Sequence, residues 1–175
     1  KTHWNMPYCL FVNGDSKLNI RSGNACVTDK GKQITKAIFG EGIKDEAKLG
    51  SGVFKHFGQG KEGFDVVSCQ FALHYFFSDI DAANSFLRNV SETCKIGGYF
   101  VGTCYSGERV LEKLEETQQN DSVLIIDNEK KMWELKKKYD SDTFKNDETS
   151  IGYAVDVYQE SINKTFREYL VNFTY

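Results

Sequence analysis

The sequence has no apolar run that approaches the length of about 20 residues needed by a membrane-spanning helix. It also has no charged-then-apolar leader at its start. Its three histidines, at positions 3, 56 and 74, share no ligand spacing with its cysteines. These absences predict a soluble protein that associates with no membrane and holds no metal ion.

A disulfide framework is not indicated either. The five cysteines form no CxxC pair, and their odd number does not suit a closed set of disulfides. They lie at positions 9, 26, 69, 94 and 104. Unbonded thiols in a reducing, intracellular compartment are the simplest account of this pattern.

An excess of basic residues is absent, since 22 Lys and Arg stand against 25 Asp and Glu, for a net charge of −3. This balance argues against a protein that holds nucleic acid through a broad basic face, so any nucleic-acid contact should be local. A hydrolase is not predicted, because no strand–turn–helix nucleophile elbow surrounds Ser68 or Cys69 near His74.

What the chain does have is apolar and aromatic content, at 40% and 14% of its 175 residues. This composition is typical of one globular domain with a sizeable core. The 13 Phe and nine Tyr indicate either a ring-rich core or platforms for flat ligands. The chain begins at Lys1, and residues 171–175 end in what looks like a continuing aromatic helix, so we expect a segment of a longer polypeptide.

The most informative stretch is Phe64 to Phe77, FDVVSCQFALHYFF. Its first residues have the branched and aromatic character of a buried strand in a parallel sheet. Polar side chains and flat rings follow, where such a strand would emerge at its carboxyl end. In open α/β sheets that edge is where ligands bind.

Strand and helix patterns alternate on either side of this stretch, which predicts a doubly wound α/β sheet. Strand patterns cover 8–12 and 99–103, the latter buried, and helix patterns cover 32–39, 79–94 and 108–116. Between them, residues 40–63 contain seven glycines and predict irregular loop with at most one helical turn, near 53–57. The GxGxxG match at 58–63 precedes a strand instead of opening a helix, so we do not expect it to bind phosphate.

The pattern changes beyond Gln118. Short apolar runs at 123–126 and 132–135, joined by residues 127–130, predict a hairpin. The lysines at 136–138 are typical of a solvated edge. A polar loop over 140–149, a strand over 151–158 and a helix or turn over 166–173 complete the prediction.

Three segments carry a resemblance to a known family: SCQFALHYFF, NSFLRNVSETCKIGGYFVGTCYSGERVLEKL and GYAVDVYQESINKTFREYLVNF. They resemble the mRNA cap guanine-N7 methyltransferases, especially those of the capping enzymes of large DNA viruses. The resemblance implies a Rossmann-like, doubly wound sheet that lacks its N-terminal part, with a β-hairpin inserted after the second main helix. Residues 1–175 would then be one partial methyltransferase domain, with a central α/β part at 8–117 and a cap-pocket part at 118–175.

The reaction that the resemblance implies is attack of guanine N7 on the sulfonium methyl of S-adenosylmethionine (SAM). Because N7 presents a lone pair, no proton need be removed and no catalytic side chain is demanded. Alignment of the two substrates is then the main task of the protein. By resemblance, SAM would contact Asp15, Gln70, Phe71 and Tyr75, although Asp15 also suits a turn that caps the residues after it.

The cap guanine would, by resemblance, contact His74, Tyr75 and Glu168. Guanine offers N1–H and N2–H₂ side by side, a donor pair that one carboxylate can accept and that adenine lacks. Glu168 is the candidate for this role, and a surface helix is the alternative. The family motif has Pro and an aromatic residue where this chain has Arg167 and Asn172.

The predicted partner is RNA with a 5′ GpppN end, and triphosphatase and guanylyltransferase domains are expected in the same polypeptide. The location would be the host cytoplasm or virion for a viral protein and the nucleus for a cellular one. Since the glycine-rich cofactor loop of the family is absent, the segment alone is expected to bind SAM weakly or not at all. Two alternatives stay open: a SAM-dependent enzyme with another substrate, and a non-catalytic, methyltransferase-like subunit.

Overall fold

The computed structural model describes residues 8–141 and 143–174, so His3 lies outside the described residues. The chain folds into two compact units. The first unit comprises the residues up to Asp65 together with Arg88–Gly98, and the second comprises Val66–Leu87 together with the residues from Tyr99 onward. Within the described ranges, no helix combines the length and the apolar character needed to cross a bilayer.

The elements confirm a mixed α/β chain. In chain order they are α1 (Asp29–Ile38), α2 (Glu46–Leu49), α3 (Ser51–Lys55), β1 (Phe64–Gln70), a 3₁₀ helix (Leu73–Ser78), α4 (Ile80–Thr93), β2 (Cys94–Thr103), α5 (Gly107–Lys113), β3 (Ser122–Asp127), β4 (Lys130–Lys137), a second 3₁₀ helix (Glu148–Ser150), β5 (Ala154–Gln159) and β6 (Lys164–Tyr169).

In the first unit, α1 begins where the side chain of Thr28 accepts a hydrogen bond from the backbone N–H of Gly31. Its inner face buries Ala37 against Leu49 of α2 and Val53 of α3. The helix predicted at 32–39 is therefore confirmed, although it begins earlier, at Asp29.

The prediction of at most one helical turn within 40–63 is wrong, because α2 and α3 both lie there. The Asp45 side chain accepts from Ala47 N and so caps α2, while Leu49 and Val53 gain a buried partner in Ala37. The GxGxxG match lies in turns between α3 and β1 and opens no helix.

The strand predicted at Tyr8–Val12 is also wrong, since these residues have no regular structure. Backbone pairing is confined to a single bridge between Gly14 and Cys26, flanked by the Asp15 N to Ala25 O and Val27 N to Asn13 O hydrogen bonds. The apolar pattern of 8–12 was strand-like, but no strand pairs with it in the part of the chain that the structure describes.

A buried asparagine organises the loop that precedes α1. The Asn89 side chain donates to Ser16 O and Leu18 O, both at 2.8 Å, and accepts from Ile20 N at 2.9 Å. It is buried, so its three bonds satisfy backbone groups that would otherwise lose water without gaining a partner.

We expect Asn89→Ala to lower the free energy of unfolding by about 2 kcal/mol, because it leaves buried backbone groups without partners. Denaturant unfolding of the chain would measure this loss. The exposed Asn24 of the same loop is the matched control, and Asn24→Ala should change the free energy of unfolding by less than about 0.5 kcal/mol. Equal effects of the two substitutions would contradict the anchoring role of Asn89.

Strands β1 and β2 form a two-stranded sheet, and α4 lies between them in sequence. The Gly98 backbone lies beside Asp65 and the Gly102 backbone lies beside Cys69. Because residue numbers rise together along both strands, the pairing is parallel. The helix predicted at 79–94 is confirmed as α4, and its cap is Asp79, whose carboxylate accepts from Ala82 N at 2.8 Å.

The prediction that β1 and β2 are buried is wrong. Val66 is 53% exposed, and Tyr99 and Val101 are also exposed. Phe100 packs its ring edge against Phe86 of α4, so the helix covers that side of the sheet. In the described ranges the sheet has two strands, which explains why the apolar side chains on its opposite side stay exposed.

The second unit contains an antiparallel sheet with the strand order β3-β4-β5-β6. Strands β3 and β4 form a hairpin in the region where the sequence indicates one. Asn128 and Glu129 connect them with φ values of 48° and 61°, the left-handed backbone of a type I′ turn. The insertion of this hairpin into a doubly wound sheet stays a prediction.

The predicted helix or turn over 166–173 is wrong, because residues up to Tyr169 form β6. Phe166 lies opposite Val157 of β5, and Arg167 forms an ion pair with Asp156 across the same strands. These cross-strand partners decide the conformation of a segment whose aromatic content suits either structure. Glu168 is therefore a strand residue and not a surface-helix residue.

The main core of the second unit lies between α5 and the antiparallel sheet. Leu114, Tyr139, Val155, Val157 and Leu170 are buried together there. The helix predicted at 108–116 is confirmed as α5.

The interpretation of residues 136–138 as a solvated edge is wrong for Lys137, which is only 5% exposed. Its Nζ lies 5.0 Å from the centre of the Tyr139 ring and donates to Leu114 O at 3.4 Å. The ring and the carbonyl together replace part of the water that this ammonium group loses on burial.

The departure from the family motif at Asn172 also has a local reason. Asn172 is buried, and its side chain donates to Lys145 O at 2.9 Å and accepts from Thr174 N at 3.0 Å. These bonds hold the polar loop that precedes the second 3₁₀ helix, which an aromatic residue could not do.

Candidate functional site

The candidate site of the second unit forms where the 3₁₀ helix over Leu73–Ser78 packs against β6. The 3₁₀ helix follows the carboxyl end of β1 and carries His74 and Tyr75. Strand β6 carries Glu168. The structure thus brings together the three residues that the sequence predicts to contact the cap guanine.

His74 and Glu168 face each other inside this packing. They are 4% and 6% exposed, and 3.6 Å separates His74 Nε2 from Glu168 Oε2. Neither ring nitrogen of His74, nor Glu168 Oε2, has a hydrogen-bond partner among the described residues. Buried polar atoms are nearly always satisfied, so these three atoms indicate a place for a polar ligand.

Burial sets the protonation of the pair. It raises the pKa of Glu168 to about 7 and lowers the pKa of His74 below its ordinary value. At neutral pH the imidazole is therefore uncharged, and the carboxyl group is divided between its two protonation states. An ionised Glu168 presents a hydrogen-bond acceptor directly beside a neutral ring that can present a donor.

Aromatic rings surround the imidazole. The centre of the Tyr75 ring lies 4.3 Å from that of His74, at 61° between the planes. The Tyr105 ring is nearly parallel to His74, with 6.1 Å between centres and 24° between planes. Burial raises the pKa of Tyr75, and the nearby Glu168 carboxylate raises it further, so its hydroxyl stays protonated.

Gln70 and Phe71 lie at the carboxyl end of β1, as predicted. Gln70 donates to Ser68 Oγ at 3.0 Å and accepts from Thr103 Oγ1 at 2.9 Å, so β2 helps to orient its amide. Phe71 has a φ of 54°, and its N–H donates to Thr103 O at 3.0 Å. This backbone leaves its ring 77% exposed, as a flat surface open to a ligand.

Asp15 belongs to the first unit and is exposed. Its carboxylate accepts from Lys17 N at 2.9 Å, which is the local turn that the sequence offers as the alternative to a ligand contact. Its predicted contact with SAM stays a prediction. Among the residues that the structure describes, no group of three or more His, Cys, Asp or Glu side chains is arranged to hold a metal ion.

Three further residues belong to the site and were missed by the sequence analysis. Tyr105 lies between the imidazole of His74 and the indole of Trp133, and its hydroxyl accepts a hydrogen bond from Gln159 Nε2 at 2.7 Å. The position of Tyr105 just after β2 was a usable signal, because it follows the same sheet edge as Gln70. No sequence signal singles out Trp133 or Gln159, which become neighbours only through the pairing of β4 with β5.

Comparison with known proteins gives a coherent result. The family model described as "mRNA (guanine-N(7))-methyltransferase domain" matches residues 44–175. This range is three quarters of the chain and includes every candidate site residue except Asp15.

Individual relatives agree with the family model. The chain is 51% identical over 51 residues to "mRNA cap guanine-N(7) methyltransferase" of Caenorhabditis briggsae, a match that covers 29% of this chain and 14% of that protein. It is 34% identical over 113 residues to "Probable mRNA-capping enzyme" of Acanthamoeba polyphaga mimivirus, covering 62% of this chain and 9% of that protein. The chain therefore spans only a small part of the length of these relatives.

Proposed function

Because the chain belongs to the mRNA (guanine-N(7))-methyltransferase family, we propose that it is part of an enzyme that methylates N7 of the cap guanine in GpppN-RNA. SAM is the proposed cofactor. The fold of the complete domain would be a Rossmann-like, doubly wound sheet, in which the parallel pair of β1 and β2 forms part of the ligand-binding edge.

The observation that carries the proposal is the buried His74–Glu168 pair with its unsatisfied polar atoms. The Watson–Crick edge of guanine presents the donors N1–H and N2–H₂ beside the acceptor O6. An ionised Glu168 would accept from N1–H and N2–H₂, and a neutral His74 would donate from Nε2 to O6. Adenine presents an acceptor at N1 and a donor at N6 and has no amino group at position 2, so the pair would select guanine.

The site needs no group that removes a proton, because guanine N7 already carries a lone pair. In agreement with this, His74 and Glu168 would bind the base and would take no part in proton transfer. Tyr75, whose ring lies against His74, would hold the base in the plane from which N7 attacks. Orientation of this kind can supply on the order of 7–11 kcal/mol of the barrier reduction.

The residues predicted to bind SAM fit a nucleoside cofactor. Phe71 is 77% exposed, and its backbone N–H is held by Thr103. The neighbouring Gln70 ends β1. Phe71 would cover the adenine ring, while Gln70 and Tyr75 would bind polar edges of the cofactor. SAM supplies the activated methyl group when bound. Asp15 is proposed as a further contact, to the adenosine part.

Phe71→Ala should weaken SAM binding about tenfold, because base–aromatic stacking contributes roughly 1–3 kcal/mol. The substitution should leave the thermal unfolding midpoint nearly unchanged, since the ring is exposed. Titration calorimetry with SAM, on the chain extended at both ends by its own coding sequence, measures the affinity. Ile162→Ala, at another exposed apolar residue of the second unit, is the control and should bind SAM like the unchanged chain.

The partner proposed for the site is the 5′ GpppN end of an RNA, bound locally, which agrees with a net charge of −3. Triphosphatase and guanylyltransferase domains in the same polypeptide are proposed from the likeness to a viral protein named as a probable capping enzyme. A reducing intracellular compartment is also proposed, in agreement with the free thiols of Cys26, Cys69, Cys94 and Cys104.

The test is transfer of labelled methyl from SAM to GpppA-RNA, with ApppA-RNA as the control. The chain should be extended at both ends by its own coding sequence, and the 175-residue chain assayed beside it. We expect label in the guanine cap alone. Label in neither RNA, despite measurable SAM binding, would overturn the cap assignment in favour of another substrate. The absence of both label and SAM binding would favour a non-catalytic subunit.

A further inference from the structure

Tyr105 connects the antiparallel sheet to the candidate site. Its hydroxyl accepts from Gln159 Nε2 of β5 at 2.7 Å. Its ring meets the Trp133 indole of β4 edge-on, with 5.9 Å between centres and 83° between planes. Trp133 and Gln159 are direct partners in the pairing of β4 with β5. The same pair of strand residues therefore contacts both the ring and the hydroxyl group of Tyr105.

The opposite side of Tyr105 faces the His74 imidazole. A functional histidine usually has its ring orientation fixed by a hydrogen bond from the nitrogen that does not contact the ligand. His74 has no such bond to any described residue. Packing must therefore fix the plane of this ring, and the rings that pack on it are Tyr75 and Tyr105.

Tyr105 also stays uncharged in this position. Burial raises the pKa of its phenol to about 12, and the nearby Glu168 carboxylate contributes to the rise. The neutral phenol can therefore keep its bond to Gln159 throughout the physiological pH range.

We propose that Tyr105 is a positioning residue: held by Gln159 and Trp133, it fixes the plane of the His74 imidazole beside Glu168 and so sets selectivity at guanine O6. This inference rests on the proposed function. Tyr105 acts through His74 and not by contact with the reacting atoms.

The test compares methyl transfer to RNAs capped with guanosine, 6-thioguanosine and inosine. The 6-thio cap keeps N1–H and N2–H₂ but has a poor acceptor at position 6, and the inosine cap keeps O6 but lacks the N2 amino group. Tyr105→Phe keeps the ring and removes the hydroxyl. Gln159→Met removes the amide group that donates to this hydroxyl. Each variant should lower the preference for the guanine cap over the 6-thio cap about fivefold, the range of one net hydrogen bond. The preference over the inosine cap should not change.

Because both substitutions break the same bond, the double variant should lose no more selectivity than either single variant. Tyr139→Phe is the matched control, since Tyr139 is a second tyrosine of the second unit whose pKa is raised to about 12, and it lies buried in the core. This variant should leave both preferences unchanged.

An equal loss of activity on all three caps in Tyr105→Phe and Gln159→Met would overturn the inference, since a purely structural role predicts that result. Unchanged selectivity in both variants would overturn it as well. All variants are made in the chain extended at both ends by its own coding sequence. The failure of the proposed function is distinguishable, because in that case the unsubstituted extended protein would methylate none of the three caps.

Discussion

Glu168→Gln should lower kcat/KM for methyl transfer to a guanine cap by about 10²–10³-fold. Glutamine keeps the size of the side chain but replaces one acceptor oxygen with a donor, which would face a donor group of guanine. One charge-assisted hydrogen bond would be lost and the other would become a weaker, neutral one, a combined loss of about 3–4 kcal/mol. Since Glu168 is buried against His74, water cannot replace the lost bond, and the loss should approach the upper part of this range.

The measurement is a comparison of kcat/KM on GpppA-RNA and inosine-capped RNA for the two proteins. The unchanged chain should prefer the guanine cap, and Glu168→Gln should lose most of this preference, because Glu168 reads the N2 amino group. Glu134→Gln is the control, since Glu134 lies in the same sheet but pairs with Lys131 at the surface. Full guanine preference in Glu168→Gln would remove Glu168 from the base-binding site.

The sequence was sufficient for the elements whose apolar spacing is regular. The stripe along α4 and the turn residues of the β3–β4 hairpin are local signals, and both elements lie where they were expected. The spacing was insufficient where conformation depends on a distant partner. Residues 8–12 have a strand-like pattern but form no strand, because no described strand pairs with them. Residues 166–169 were expected to form a helix or turn but form a strand, because they pair with β5.

The candidate site was predictable to a similar degree. Gln70, His74 and Tyr75 could be placed at a sheet edge because they follow an apolar strand directly. Glu168 entered through resemblance to a family motif, and only the packing of the 3₁₀ helix against β6 brings it to His74.

The protonation states of His74 and Glu168 could not be predicted from the sequence. The rise in the pKa of Glu168 comes from burial, and burial is a property of the packed sheet. The support of His74 by Tyr105 was equally out of reach, because it depends on the register in which Trp133 faces Gln159.

The raised pKa of Glu168 also makes the free energy of unfolding depend on pH. An ordinary glutamate has a pKa near 4.5, whereas Glu168 in the folded chain has a pKa of about 7. Between these values the folded state binds a proton that the unfolded state has lost. The contribution of Glu168 to the free energy of unfolding therefore falls as the pH rises from about 4.5 to about 7.

Glu168→Gln removes this ionisation. Its effect on the free energy of unfolding should therefore be more stabilising above pH 7 than at pH 4.5 by about 3 kcal/mol, at about 1.4 kcal/mol per unit of pKa. The groups that face Glu168 are His74, Tyr75 and Tyr105. His74 acts in the opposite direction, because its lowered pKa makes its contribution rise with pH up to about 6.5. The two tyrosines titrate above this range. Since all three are present in both chains, the difference between the two proteins reports the ionisation of Glu168 together with its coupling to His74.

Denaturant unfolding of both chains between pH 4.5 and pH 8 measures this difference. A gain in stability that grows with pH, in a variant that has lost guanine selectivity, would identify Glu168 as a residue kept for binding at a cost in stability. A difference that does not vary with pH would mean that the carboxyl group ionises at its ordinary pKa. Glu168 would then have to be solvated in the folded chain, which contradicts its burial against His74. In that case the selectivity for guanine could not be explained by Glu168 acting as an acceptor shielded from water.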